Sequence, residues 1–475
     1  MSATELIAPP ATAGVERSLS GWGRARHSSC RVLTPQGGED VVALLSSAAA
    51  AGVGVIARGA GRSYGDAAQN DGGQVLDMTG LDAILSIDPE RLLVRAQAGA
   101  SIAQLLAALA PAGLTLPVVP GTRHVTLAGA IASDIHGKNH HRDGAFARYV
   151  TAIALCTPGR ELLELTPESD AELFYATLGG MGLTGVILEA TLAAEEMAAP
   201  MVLADVDRTD GLDATLEMLS GRERHRYSVA WLDLLAGGSR MGRAIVSRAD
   251  PLEAAGSEPS RELGSGGGEH YARGLTGGPL IAVPSAVPRS PLTPSVMRAF
   301  NAARWRASPR RVRERPEPMA PFFFPLDVVG HWNRLYGRTG LIQYQFAVPT
   351  GQEAALERCF ELIRVRRVPV YLAVFKRFGE EFGGPLSFPL AGWTLAIDVP
   401  AAAPGLDVAL AQLDEIVAGC GGRVYLSKDL RLSRDSLEAM YPRLGDFAEI
   451  RARVDPREVL RSDLGRRLGL CGAPA

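Results

Sequence analysis

Lysine is almost missing from this chain. Its 475 residues include 49 Lys and Arg, but only Lys138, Lys376 and Lys428 are lysine, leaving 46 arginines (49 less 3). The Ala-, Gly- and Arg-rich usage points to a compositional bias that turned lysine into arginine wherever either would serve. Each surviving lysine is therefore a candidate for a place where a compact ammonium is wanted rather than a planar five-donor guanidinium. Cysteine is scarce too: Cys30, Cys156, Cys359, Cys420 and Cys471 are scattered without a CxxC pair. That excludes a disulfide framework and fits a reducing cytoplasm. No apolar run reaches the ~18 residues that span a bilayer; the stretch from Val41 to Ala57 is broken by Ser46, Ser47, Gly52 and Gly54. The opening MSATELIAPPATAGVER lacks a basic region followed by an apolar one, so no signal peptide is expected. A net charge of -3 argues against a general nucleic-acid binder. A soluble, cytoplasmic chain of two to three domains is expected, at ~150 residues per domain.

The first ~190 residues alternate helix and strand signals. Glu39 to Ala51 reads as a helix closed by Gly52, and Val53 to Ala57 as a short buried strand. Ser101 is placed to cap a helix carrying Ile102, Leu105, Leu106 and Leu109, which ends at Pro111 or Gly113. Thr151 to Cys156 and Gly185 to Thr191 read as further strands. Ala254 to Ser290, with GSGGG at 264–268, reads as a mobile loop. The arginine-rich stretch from Arg298 to Arg315 reads as a solvated helix and turn, with an anionic-lipid or phosphate contact as the sharper alternative. Three strands follow with informative period-2 faces. Gln343 and Gln345 share one face of LIQYQFAV, Lys376 ends the face of Leu372 and Val374, and Thr394, Ala396 and Asp398 oppose Trp393, Leu395 and Ile397. These make a half-buried antiparallel sheet with one partly polar face. Asp407 to Gly419 is an amphipathic helix.

Three segments carry chemistry. VIARGAGRSYGDAAQN follows a strand, but its glycines do not have GxGxxG spacing, and the Gly-, Asp- and Asn-rich continuation offers no helix N-terminus. Its backbone N–H groups can still cradle a phosphate as a nest. LPVVPGTRHVTLAGAIASDIHGKNHHRDG combines small residues, which allow close backbone approach, with His136, His140 and His141. Gly137 and Asn139 interrupt that histidine cluster and no further ligand is near, so no metal is expected. TLGGMGLTGVI is another glycine-rich turn into a strand. Together the three look like the wall of a site for one long cofactor.

RGAGRSYGDAAQN, PGTRHVT, DIHGKNHH, GGMGLTG, FFFPLD, LIQYQF, VFKRFG, PLSFPLAGW and RVYLSKD, in that order, resemble vanillyl-alcohol-oxidase-type flavoproteins and, within them, the decaprenylphosphoryl-β-D-ribose 2'-oxidase family. The resemblance spans about residues 18–470. It implies an α+β fold of two domains: a split FAD-binding domain (1–200 and 423–475) and a substrate domain (201–422) with an antiparallel sheet. It also implies non-covalent FAD, held by Ala57, Arg58, Gly59, Ala60, Gly61, Arg62, Ser63, Tyr64, Gly65, Asp66 and Ala67. Further contacts would come from Gly121, Thr126, Leu127, Ala128, Gly129, Ser133, Asp134, Ile135, His136, Ile187 and Tyr425. The implied reaction oxidises the 2'-hydroxyl of a polyprenyl-phosphoryl ribofuranose to a ketone. A separate NADH-dependent keto-sugar reductase would complete epimerisation to arabinose for cell-wall polysaccharide.

In that scheme Lys428 supports proton transfer and flavin charge, with His136 and Tyr64 bordering the flavin. Lys376, Gln343, Gln345, Trp231 and Phe323 line the substrate pocket with Thr394, Ala396 and Lys428. Three positions depart from the family's usual pattern. Ala396 stands where many relatives carry cysteine, Thr394 where Asn is usual, and Phe323 where Tyr is common. A peripheral contact with the inner face of the plasma membrane follows from a lipid-linked substrate, and the resemblance leaves the periplasm open as a second site of action. The competing readings are an FAD oxidase of a soluble polyol, aldonolactone or natural-product glycoside, and a non-enzymatic flavin-binding scaffold.

Overall fold

The computed structural model describes residues 14–159, 162–220, 225–252, 271–272, 274–275, 277–285 and 287–472. Local sequence accounts for its early helices. Gly38–Ala51 buries Val41, Leu44, Leu45 and Ala48 along one stripe and stops at Gly52, whose φ of 68° suits glycine. Ile102–Leu109 starts at a capping box, in which Ser101 and Gln104 satisfy each other's backbone N–H groups. A short 3-10 turn then runs to Gly113.

Three larger sheets organise the chain. A four-stranded sheet runs in the order Val15–Ser20, His27–Leu33, Gln74–Asp77, Val55–Arg58, with parallel pairing among the last three. An antiparallel five-stranded sheet runs Ile84–Asp88, Leu93–Gln97, Val186–Ala193, Val150–Cys156, Leu162–Leu165. The largest has eight antiparallel strands: Arg311–Pro318, Met201–Thr209, Arg243–Pro251, Tyr227–Asp233, Leu372–Phe378, Gly392–Pro400, Leu341–Pro349 and Arg423–Val424. Mixed helix with antiparallel sheet makes the fold α+β. Period-2 alternation sorts the last sheet's side chains. Tyr344 turns toward the helix Leu406–Gly419, where its hydroxyl donates to Asp414, while Gln343 and Gln345 lie on the opposite face.

The arginine-rich stretch departs from the expected helix and turn. Pro294–Ala307 is a helix, capped by Thr293, but Arg311–Pro318 forms an edge strand on Met201–Thr209. The guanidiniums on that strand are drawn to the protein's own carboxylates: Arg311 and Arg313 pair with the buried Asp207, and Arg315 with Glu317. Most of the expected mobile loop at 254–290 lies outside the described residues; within it, Ile281–Ala282 pairs in parallel with Val329–Gly330.

The chain closes on itself. Val55 bridges Leu460, and its N–H donates to the Val459 carbonyl. Arg467 joins two buried carboxylates, Asp66 at 2.9 Å and Asp429 at 2.8 Å.

Candidate active site

One cavity of about 310 Å3 runs between the glycine-rich loops and the polar face of the large sheet. Ala57 to Tyr64 and Ala67 form one wall. Gly121, Thr126, Ala128, Gly129, Ser133, Ile135, His136 and Ile187 form another. Gln343, Gln345, Lys376 and Ala396 come from the sheet, and Tyr425 and Lys428 from the turn that follows Arg423–Val424. No helix follows Val55–Arg58; the chain continues through open turns. Small residues are needed here. A Cβ on Gly59 would sit 2.1 Å from Thr126 Oγ1, and Gly61 has φ +62°. At Gly121 a Cβ would meet no protein atom within 4 Å, because that glycine opens on the cavity.

The loop is held from behind. Arg58 donates to the carbonyls of Ser20 (2.7 Å) and Ala68 (2.9 Å). Tyr64 N–H donates to the Ser427 carbonyl at 3.0 Å. Four expected cofactor contacts belong to this support and not to the cavity wall. Gly65 lies against the Asp429 carbonyl, where a Cβ would come within 1.6 Å. Asp66 is fully buried on Arg467 and Arg26. Leu127 is in the core, and Asp134 accepts from the Ala147 N–H.

The sheet register builds the substrate end. Gln343 pairs with Asp398, Gln345 and Val374 with Ala396, and Lys376 with Thr394. Thr394 donates to the Phe346 carbonyl at 2.9 Å, so its oxygen accepts from Gln345 Nε2 at 3.2 Å. The other Gln345 amide hydrogen points to His136 Nε2 at 3.0 Å. His136 Nε2 is thus an acceptor, which leaves the proton on Nδ1, an atom with no protein partner. Burial, with help from Lys376, pushes the His136 pKa well below its ordinary value, so the ring is neutral.

Lys428 Nζ lies 4.0 Å from the centre of the Tyr64 ring. Burial lowers its pKa to about 8, against the pull of the Asp398 charge. Lys376 donates to the Gly137 carbonyl at 3.1 Å and is lowered to about 7, first by burial and then by Lys138 and Lys428. Burial raises the Tyr64 hydroxyl well above its usual range, with Asp398 adding to the effect. The chamber therefore offers two cations close to neutrality, a neutral imidazole donor and two amides.

Several expected pocket residues lie elsewhere. Trp231 pairs across from Val374, one strand beyond the cavity wall, and Arg304 covers its ring at 5.2 Å. Phe323 packs edge-on against Tyr227 at 4.9 Å, around a void of about 10 Å3. Thr394 touches the site only through Gln345. Lys138 turns away from the cavity, hydrogen-bonds the Phe322 carbonyl and lies over that ring. Conversely, Trp22, Trp332, Asp327 and Asp398 were not anticipated as site residues. Trp22 lines the cavity under the Arg62 guanidinium, 3.9 Å away. Its signal was the Gly21-Trp22-Gly23 triplet, since a Cβ on either glycine would strike the backbone of Gly65 or Leu341. Among the described residues there is no His/Cys/Asp/Glu cluster fit for a metal.

A glycine-lined groove open at Gly121, leading to a neutral imidazole with a free N–H, fits a flat cofactor with a phosphate tether. The family model described as FAD binding domain matches residues 30–166, and the chain is an FAD-dependent oxidoreductase. The model for D-arabinono-1,4-lactone oxidase matches residues 407–468. The chain is 41% identical to decaprenylphosphoryl-beta-D-ribose oxidase of Mycolicibacterium smegmatis, covering 96% of this chain and 98% of that protein. It belongs to that family. It is also 38% identical to an uncharacterized protein from the mprA 5' region of Streptomyces coelicolor, over 76% of this chain and 97% of that one. To L-gulono-1,4-lactone dehydrogenase of Mycobacterium tuberculosis it is 25% identical, over 92% and 95%.

Proposed function

We propose that the chain oxidises the 2'-hydroxyl of a polyprenyl-phosphoryl-β-D-ribofuranose to the 2'-keto sugar, as the first half of an epimerisation to arabinose for cell-wall polysaccharide. The supporting observation is convergence: Lys428, Lys376, Gln343, Gln345 and His136 all face one chamber continuous with the glycine-lined groove. FAD, when bound there without a covalent link, supplies the two-electron acceptor. The loops from Ala57 to Tyr64 and from Gly121 to His136 hold it through backbone approach. Lys428 presents an ammonium where negative charge develops, a contribution that grows in the transition state. Gln343, Gln345 and Lys376 orient the sugar hydroxyls, and a group of near-neutral pKa such as Lys376 accepts the hydroxyl proton. The aromatic wall of Trp22, Tyr64 and Trp332 excludes water on one side.

A split layout accords with this reading: 1–200 with 423–475 carrying FAD and 201–422 the sugar, the second boundary falling inside the large sheet at Arg423–Val424. The ketone would pass to a separate NADH-dependent reductase at the cytoplasmic face. Leu326 lines the cavity mouth next to exposed Val328, and the Val328 carbonyl accepts from the N–H of exposed Leu280. This apolar rim suits a lipid-linked substrate. A second reading, oxidation of a soluble aldonolactone, draws on the D-arabinono-1,4-lactone oxidase match. Anaerobic mixing separates the two: bleaching of the flavin band by farnesyl-phosphoryl ribose and not by aldonolactones supports the first, and the opposite pattern refutes it.

A further inference from the structure

Asp398 is the site's unexplained group. It sits mid-strand in the large sheet, 1% exposed, with no cation within ion-pairing distance among the described residues. One carboxylate oxygen accepts from Gln343 Nε2; the other, also buried, has no hydrogen-bond partner. A buried carboxylate left half unsatisfied is unfavourable unless its charge is used. The charges and hydroxyls that feel it are Lys428, from the turn after the last strand, Tyr64 from the glycine-rich loop, and Tyr336. Lys428 is the cation among these, and the carboxylate favours its protonated form.

We infer that Asp398 is a positioning residue that keeps Lys428 as an ammonium and fixes the Gln343 amide, without itself touching substrate or cofactor. The arrangement follows from register. Gln343 and Asp398 are directly paired across neighbouring strands, so Gln343 stands between the carboxylate and the cavity. The charge is kept one layer back, where it acts on Lys428 without repelling a phosphorylated substrate at close range. Because Asp398 is itself raised to about 6 by burial, the pair is charge-balanced from about pH 6 to 8. Above that window Lys428 loses its proton; below it Asp398 is neutral and Lys428 stands alone. This rests on the reading of Lys428 as the cation beside the flavin, but the test below does not depend on turnover.

The chain's three lysines make the test direct. Selective 13Cε-lysine labelling of the FAD-bound protein gives three signals, assigned with Lys138→Arg, Lys376→Arg and Lys428→Arg. The Lys428 signal is expected to titrate near 8, with a smaller inflection near 6 as Asp398 takes up its proton. Asp398→Asn keeps the shape and the Gln343 bond, and is expected to bring the Lys428 midpoint down by about one pH unit or more. In the same variant the alkaline limb of flavin reduction moves to lower pH by a similar amount, while substrate saturation changes little. Asp398→Glu restores the parent midpoint. Should Asp398→Asn not fold, the inflection near 6 decides, read in Lys376→Arg, where the neighbouring charge is fixed and cannot supply it. A Lys428 midpoint that stays put in Asp398→Asn, or the absence of that inflection, overturns the inference. Failure of the substrate reading shows separately, as an intact Lys428 titration without bleaching by the lipid-linked sugar.

Discussion

Replacing Lys428 by methionine should make the protein more stable and less active at once. The stability half follows from the depressed pKa. At neutral pH the ammonium is protonated in both folded and unfolded chains, so the folded state bears the whole unfavourable burial term. A fall from the ordinary lysine value of 10.5 to about 8 corresponds to roughly 3 kcal/mol at most, and water in the cavity reduces it. The sign can be checked. Between about pH 8 and 10.5 the unfolded chain binds the proton and the folded one does not, so the parent gains stability as pH rises through that window. Lys428→Met is therefore expected to melt higher than the parent at pH 7 in FAD-free protein, with the gap closing by pH 10.5. The activity half runs the other way. Losing a fixed charge that acts on the transition state lowers flavin reduction by about 100- to 1,000-fold, read by stopped-flow bleaching under anaerobic single turnover. A variant that reduces its flavin at the parent rate refutes the assigned role. One that melts lower at pH 7 refutes the burial argument.

Other outcomes are as specific. Flavin reduction in the parent should fall about tenfold per pH unit above about 8 as Lys428 loses its proton, provided the ammonium is the working form; a flat profile to pH 9.5 rejects this. Gly121→Ala should leave the FAD-free melting temperature unchanged, since its Cβ meets no protein atom within 4 Å, yet weaken FAD binding, measured by fluorescence titration. Gly65→Ala should instead reduce soluble protein, because its Cβ collides with the Asp429 carbonyl. Electrophiles that trap a pocket thiol should leave no adduct in intact-mass spectra of the parent, where Ala396 lines the cavity, and a single adduct in Ala396→Cys. Leu280→Asp with Val328→Asp should lower co-sedimentation with phosphatidylglycerol vesicles while sparing turnover of a short-chain sugar; equal sedimentation removes the membrane contact.

The residues differ in how far their roles could be read from the chain. Lys376, Gln343 and Gln345 were legible because period-2 alternation fixes which face they share, and the cavity lies on that face. Asp398 has the same alternation, yet an aspartate on a half-polar strand reads as solvated until its neighbours are known. Trp231 fell out of the pocket because position in a motif does not specify what covers a ring: Arg304, from a distant helix, does so. Arg298 to Arg315 read as a solvated helix and turn because their charges looked free, whereas the carboxylates that hold Arg311 and Arg313 on a sheet edge are about a hundred residues earlier. Long-range partners decided each of the failures; local periodicity and capping decided the successes.

The closure through Leu460 and Arg467 places a timing constraint on the living cell. The loop from Ala57 to Ala67 leaves the ribosome well before its backing, from Ser427 through Arg467, which is made some 360 to 400 residues later. At ~5–20 residues per second this is an interval of about 20 to 80 seconds. Through that interval Asp66 has Arg26 but not Arg467, and Val55 lacks its strand-edge partner. The wall that the loop gives the cavity is therefore backed on both sides only in the finished chain.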